Sequence, residues 1–163
     1  MPLVQWQGSF SVGVPVIDAD HKTLISLLNQ MHEARQEGHT REVVGSILNV
    51  LVEYTVHHFQ REEKLMDMAG YPGAQAHKEM HRKLAAEAKL FQLQYEEGRH
   101  AAVDELFEFL KNWLVGHILG VDIQIGVWVE KVELEPGNLL GRFGLWQQAD
   151  DKDGGPLVTG DVP

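Results

Sequence analysis

Three pairs of metal-capable side chains stand about one helical turn apart, at positions that a helix in a bundle would bury. His58 and Glu62 form the first pair and His77 and His81 the second; His117 and Asp122, spaced five apart, form the third. In an α-helix, residues i and i+4 share a face about 6 Å apart along the axis, so both side chains can reach one metal or two adjacent ones. Burying an unpaired imidazole or carboxylate costs on the order of 1–3 kcal/mol or more. The pattern therefore calls for a partner, and a metal ion supplies one.

Apolar periodicity defines the stripes on which these pairs lie. Leu24, Ile25, Leu27, Leu28 and Met31 recur at helical spacing, between a cap at Asp18 or Asp20 and a stop at Gly38, with His21 in the first turn. Thr40 offers the cap of a second helix that carries Val44, Ile47, Leu48, Leu51, Thr55, His58, Glu62, Leu65 and Met66 on one stripe. Gly70-Tyr71-Pro72-Gly73 closes it. A third helix is expected over 74–97, with His77, Met80, His81, Leu84, Ala88, Phe91 and Tyr95 on one face and Gly98 as its stop. A fourth is expected over 101–119, with Val103, Leu106, Phe107, Leu110, Trp113, Leu114, His117 and Ile118 inward and Gly120 near its end.

Four amphipathic helices with short connections predict an all-α fold, an up-down-up-down antiparallel four-helix bundle whose facing side chains build a metal site in the core. Successive residues diverge by about 100° on a helix, so His57 falls outside the stripe that carries His58. Asp122 would also fall outside in a regular helix. A π-type widening or a break at Gly120 turns it back, and such irregularities are frequent at functional sites.

Residues 1–17 hold Trp6, Phe10, Val12, Val14 and Ile17 without helical period. They are expected to form an ordered arm packed on the bundle, since the alternative exposes a large apolar surface. The arm and the bundle make one domain, 1–132. Residues 133–163 read as a C-terminal extension, partly disordered. It begins with an apolar patch at 138–146 (Leu139, Leu140, Phe143, Leu145, Trp146) that is expected to dock on the bundle or on a protein partner. The Asp/Gly/Pro-rich end has too few apolar groups to offset ordering entropy.

Composition narrows the chemistry further. With no cysteine, any metal must be held by imidazole and carboxylate. A net charge of -10 argues against nucleic acid, which needs clustered cations. The most apolar segment, 113–129, is interrupted by His117 and Asp122 and is shorter than the roughly 20 apolar residues of a membrane span. The N-terminus lacks the basic and apolar regions of a signal peptide, so a cytoplasmic protein is expected. The acidic charge and self-contained bundle point to a monomer.

In these motifs the sequence resembles the hemerythrin family, and in particular its single-domain bacterial members. The likeness spans about residues 5–130 and rests on Asp20-His21-Lys22, His58-Phe59 with Glu62-Glu63 and Met66, Gly70-Tyr71-Pro72, His77 with His81, Trp113-Leu114, and His117-Ile118 with Asp122. The resemblance implies a non-haem centre of two iron ions. His77, His81 and His117 would hold one iron, and His21 and His58 the other. Glu62, Asp122 and an oxo or hydroxo group would bridge them, leaving the iron with two histidines an open position for dioxygen. It further implies reversible dioxygen binding by a carrier, store or delivery module rather than an enzyme. Neutral imidazoles separate such a site from ferritin-like centres, which use two Glu-x-x-His motifs and more carboxylates.

Other readings stay open. One is an oxygen or redox sensor acting through the 138–146 patch. Another is a di-iron oxidase, peroxidase or nitric oxide-reducing enzyme. A third is iron or zinc handling, since imidazole accepts several metals. Leu24, Ile25, Leu114, Val115 and Ile118 either wall a dry oxygen pocket or are ordinary core. His32, His39 and His100 lack a partner motif and read as surface groups. The family's single-domain members end soon after the fourth helix, so the extension past 132 departs from its pattern.

Overall fold

The computed structural model describes residues 2–39, 41–99 and 101–133. Thr40, His100 and the extension with its 138–146 patch lie outside the described residues. The elements are α1 (Pro15–Gln36), α2 (Arg41–Ala69), α3 (Ala74–Glu96), α4 (Ala101–His117), a π-helical turn (Ile118–Asp122) and α5 (Ile123–Glu133). A short 3-10 turn, Gly8–Phe10, precedes them. There is no strand among the described residues, and none of their helices is long and apolar enough to cross a membrane.

Each helix packs on the next, and α4 closes the ring against α1. Cross-contacts run in opposite senses along neighbouring helices. Asn49 meets Gln92, whereas Asp67 meets Lys78, across α2 and α3. Phe91 meets Phe109 and His81 meets His117 across α3 and α4. Arg35 meets Asp104, whereas His21 lies by Asp122, across α1 and the α4–π-turn segment. Alternate helices therefore point in opposite directions, as the sequence pattern predicts.

The core is layered along the bundle. One apolar cluster gathers Leu24, Leu28, Leu48, Leu51, Ala88, Leu106, Leu114 and Ile118 with others. A second gathers Val12, Val14, Ile17, Leu65, Met66, Ile125, Val129 and Val132. Between them lie the buried polar residues His21, His58, Glu62, His77, His81, His117 and Asp122. Helices α1 and α2 thus read apolar, polar, apolar along their inner stripes, and α4 does so together with α5.

Two helix boundaries differ from the sequence reading. Neither Asp18 nor Asp20 caps α1, which begins at Pro15 after Val14 with no side-chain cap. Proline's fixed φ suits a first helical position, so the chain enters the helix three residues before Asp18 and five before Asp20. Asp18 instead reaches back, accepting from the backbone N–H of Val12 (2.8 Å) and from the Ser11 hydroxyl. Asp20 is buried. Nor does Gly120 end the fourth helix: the chain passes through the π turn and continues as α5. A helical glycine costs only about 1 kcal/mol, and burial of Ile125, Val129 and Val132 outweighs it. On α3, Met80 turns outward, 36% exposed, away from the face that buries His77 and His81.

The arm is ordered. Asn29 brackets Val4, accepting from its N–H (2.9 Å) and donating to its carbonyl (2.8 Å). Trp6 packs edge-on against Phe10, with the Lys22 ammonium 5.0 Å from the Trp6 ring centre. Farther on, the Val12 carbonyl lies against Gly126 of α5, so close that a Cβ there would sit 1.8 Å from the oxygen. Gly126→Ala should therefore push the arm off α5 and lower the unfolding free energy by about 1–3 kcal/mol in denaturant titration. Gly116→Ala, with nothing within 4 Å of the new Cβ, should be neutral or stabilising by up to about 1 kcal/mol.

Candidate metal centre

Each element delivers its donors for a local reason. On α2, His58 and Glu62 follow Leu51 and Thr55 along the inward stripe, so the helix that packs the core also aims the donors. His57, one residue earlier, points to solvent beside Glu53 with its side chain 55% exposed, as expected for a residue off the stripe. On α3, His77 and His81 occupy the first two turns, directly after the loop at Gly70–Gly73. The end of α2 is tied to α5 where that loop begins, because the Trp128 indole donates to the Ala69 carbonyl (2.9 Å), and Tyr71 of the loop packs against Trp128. The π turn carries the chain from His117 to Asp122, and both side chains are buried.

All seven sequence-derived candidates converge. Their ligand atoms fall into two groups, each with members within 4.8 Å of one another: Glu62, His77, His81, His117 and Asp122 in one, and His21, His58, Glu62 and Asp122 in the other. Glu62 and Asp122 belong to both. Asp122 spans the groups with its two oxygens: Oδ1 lies 2.8 Å from His117 Nε2 and 3.2 Å from His77 Nε2, while Oδ2 lies 3.3 Å from His21 Nε2. Glu62 Oε2 lies 3.2 Å from both His77 and His81 Nε2, and 4.0 Å from His58 Nε2.

This arrangement fits two cations. Among the described residues, every buried side-chain atom without a hydrogen-bond partner belongs to His21, Glu62, His77 or Asp122, apart from the Trp113 indole nitrogen. Each such atom costs about 1–3 kcal/mol unless something binds it. The Nε2 atoms of His77, His81 and His117 stand 2.9, 3.1 and 3.1 Å apart. With metal–nitrogen bonds of about 2.1 Å, three imidazole nitrogens at that spacing can all be served by one ion, and imidazole accepts iron among other metals.

The ionisable groups hold one another in a charged network. Burial works to raise the Glu62 carboxyl, as does Asp122, but the His77 and His81 imidazoles 3.2 Å away and the charge of His58 hold it at about 2. Asp122 is likewise held well below the usual carboxylate range, burial notwithstanding, by His117, His21 and His77. Burial opposes charge on His77, yet Asp122 and Glu62 push it up to about 9. His81 is lowered, by burial first and then by the neighbouring imidazoles, against the pull of Glu62.

Two carboxylates outside the candidate set face candidate histidine rings from behind, and the sequence reading did not identify either. Glu63 Oε1 lies 3.1 Å from His81 Nδ1, and Asp20 Oδ2 lies 3.4 Å from His58 Nδ1. Asp20 carried a legible signal: it sits four residues before Leu24 and three after Ile17, on the apolar stripe. Phe59 stacks flat on His81 with ring centres 3.9 Å apart, and Trp113 packs edge-on against Phe59 at 5.2 Å. Leu24, Ile25, Leu114 and Ile118 are buried beside the donors, while Val115 is half-exposed. His39 is exposed and pairs with Glu37; His32 is half-buried, stacked on Phe107.

Fold and site together define a helical-bundle protein with a buried, histidine-rich cluster whose two donor groups share two carboxylates and suit two metal ions. The family model for the hemerythrin HHE cation binding domain matches residues 12–124. A bacteriohemerythrin from Stenotrophomonas maltophilia is 38% identical over 122 residues, 75% of this chain and 78% of its own length. One from Methylococcus capsulatus is 33% identical over 123 residues, covering 75% and 93%. The crystal structure of a wild-type hemerythrin superposes with a TM-score of 0.69 at 32% identity, covering 78% of this chain and 98% of that one. The chain belongs to the hemerythrin family, and the two-iron cofactor of that family is the one its donor set suits.

Two outcomes are expected. His77→Ala should cost the protein bound metal and His57→Ala should not, by metal analysis of the purified variants; equal loss in both would overturn the register of α2. In metal-free protein, His77 contributes stability that is complete below its ordinary 6.5 and disappears as pH rises through about 9. Glu62 contributes above its ordinary 4.5 and its share disappears as pH falls through about 2. The melting temperature of the metal-free chain should thus fall from pH 6.5 to 9, and less steeply in His77→Ala.

Proposed function

We propose that this chain binds dioxygen reversibly at a di-iron centre and serves as an oxygen carrier, store or delivery module. In this reading His77, His81 and His117 hold one iron, His21 and His58 hold the other, and Glu62 and Asp122 link the two. The observation that carries it is the uneven donor set: three imidazoles converge on one side of the shared carboxylates and two on the other. Two irons held there supply the electrons and the open coordination position that reversible dioxygen binding needs.

The chain's own residues do the rest. Five imidazoles and two carboxylates give a donor set of low net charge, which favours uptake and release over oxidation of a substrate. The apolar layers on either side keep water from the donors, and a dry site slows side reactions that leak protons. Among the described residues, the buried polar groups beyond the seven donors are Asp20, Thr55 and Gln92. Of these, Thr55 is tied to the Leu51 carbonyl and Gln92 to Asn49, so neither is placed to move a proton for a substrate.

Sensing through the 138–146 patch is the second reading, supported by the chain's length beyond α5. Removing residues 134–163 separates the two: a carrier keeps its oxygen affinity and loses nothing else, whereas a sensor loses a binding partner. For the main proposal, the anaerobically reduced, iron-loaded protein is exposed to oxygen and then flushed with inert gas. Two irons per chain and a visible charge-transfer band that appears and then reverses are expected. Irreversible oxidation, or steady turnover of peroxide or nitric oxide, would sink it in favour of an enzyme.

A further inference from the structure

The two sides of the centre are backed differently from behind. Asp20, 1% exposed on α1, gathers three donors. The Tyr54 hydroxyl donates to Oδ1 (2.9 Å), the Arg61 guanidinium donates to the same oxygen, and Oδ2 faces His58 Nδ1 (3.4 Å). A carboxylate only accepts, so the proton of that contact sits on Nδ1 and the Nε2 lone pair is left facing Glu62. Tyr54 and Arg61 both come from α2, the helix of His58, so the acid is clamped to that helix at three points. Burial first, with Asp20's charge, pushes the Tyr54 phenol up, which keeps it a donor. His21, which shares the two-histidine group with His58, has no partner at Nδ1.

We propose that Asp20 is a positioning residue for the two-histidine side of the centre: clamped by Tyr54 and Arg61, it fixes the tautomer and aim of His58 and sets a negative charge behind one metal alone. Glu63 does the corresponding work for His81 on the three-histidine side, but from a more exposed position, 31% accessible. The proposal rests on His58 being a ligand, as assigned above.

The test uses the full-length chain as wild type, Asp20→Leu, Asp20→Asn and Glu63→Gln. Three quantities are read: the His58 and His81 tautomers from nitrogen-15 imidazole spectra of metal-free protein, ferrous-iron affinity against a competing chelator, and the midpoint potential of the loaded centre. Losing such a partner lowers metal affinity roughly 10- to 100-fold. Asp20→Leu should do so for one of two irons, leave the other within about twofold, and release His58 into mixed tautomers. Asp20→Asn retains an acceptor, so it should rescue the tautomer and raise the potential because the charge is gone. Glu63→Gln should leave His58 untouched and perturb His81.

An Asp20→Leu protein with His58 still protonated at Nδ1 and both affinities unchanged would overturn the proposal. So would equal loss of both irons, which marks damage to the fold. Should Asp20→Leu not fold, Asp20→Asn decides: an unchanged midpoint potential would overturn it. Wild type that takes up fewer than two irons would defeat the ligand assignment instead, and the tautomers of the metal-free protein would still judge Asp20.

Discussion

Putting seven ionisable side chains into the middle of an apolar bundle is the act on which the rest of this structure depends. Alone, any one of those groups would destabilise the core by about as much as a buried leucine gains. Together they become tolerable, because two carboxylates serve five imidazoles and a pair of cations can serve all of them. The apolar clusters above and below are then a requirement rather than a background. They exclude water from the layer, strengthen the electrostatics inside it, and hold four helices in the register that makes the donors meet.

Register is a demanding condition here. Donors on α2 and α3 come at i and i+4 and need nothing beyond regular helix. The last pair is spaced five apart, and a π turn absorbs the extra residue. Had the chain stayed regular from His117, Asp122 would have faced another direction, and the carboxylate that joins the two groups would be missing. Local backbone irregularity thus completes the site, while the continuing α5 repays the irregularity by burying Ile125, Val129 and Val132.

Much of this is written in residue spacing, and the parts that are not have physical reasons. Helical periodicity separates His58 from His57 because a 100° turn is coarse enough to tell core from solvent. It locates the π turn because His117 and Asp122 could not otherwise share a face. The arm is legible from Trp6 and Phe10, which need cover. By contrast, the end of the fourth helix is not legible at Gly120, because a glycine is a weak stop where apolar burial resumes beyond it. In sequence Asp18 and Asp20 are equally plausible caps, because an acid near a helix start has two uses, and only the packing of α2 against α1 shows that Asp20 is buried against His58. Glu63 lies beside Glu62 in sequence, and which of two adjacent acids faces a histidine ring from behind depends on the angle between helices.

His21 and Asp122 lie 3.3 Å apart across the buried layer, although nearly the whole bundle separates them in sequence. An ion gripping both would close a covalent-like loop of about a hundred residues, for which the chain-entropy account of a disulfide gives on the order of 4–5 kcal/mol. This chain has no cysteine. Its cross-link would be a reversible one, tightened or released by the supply of metal rather than by the redox state of thiols.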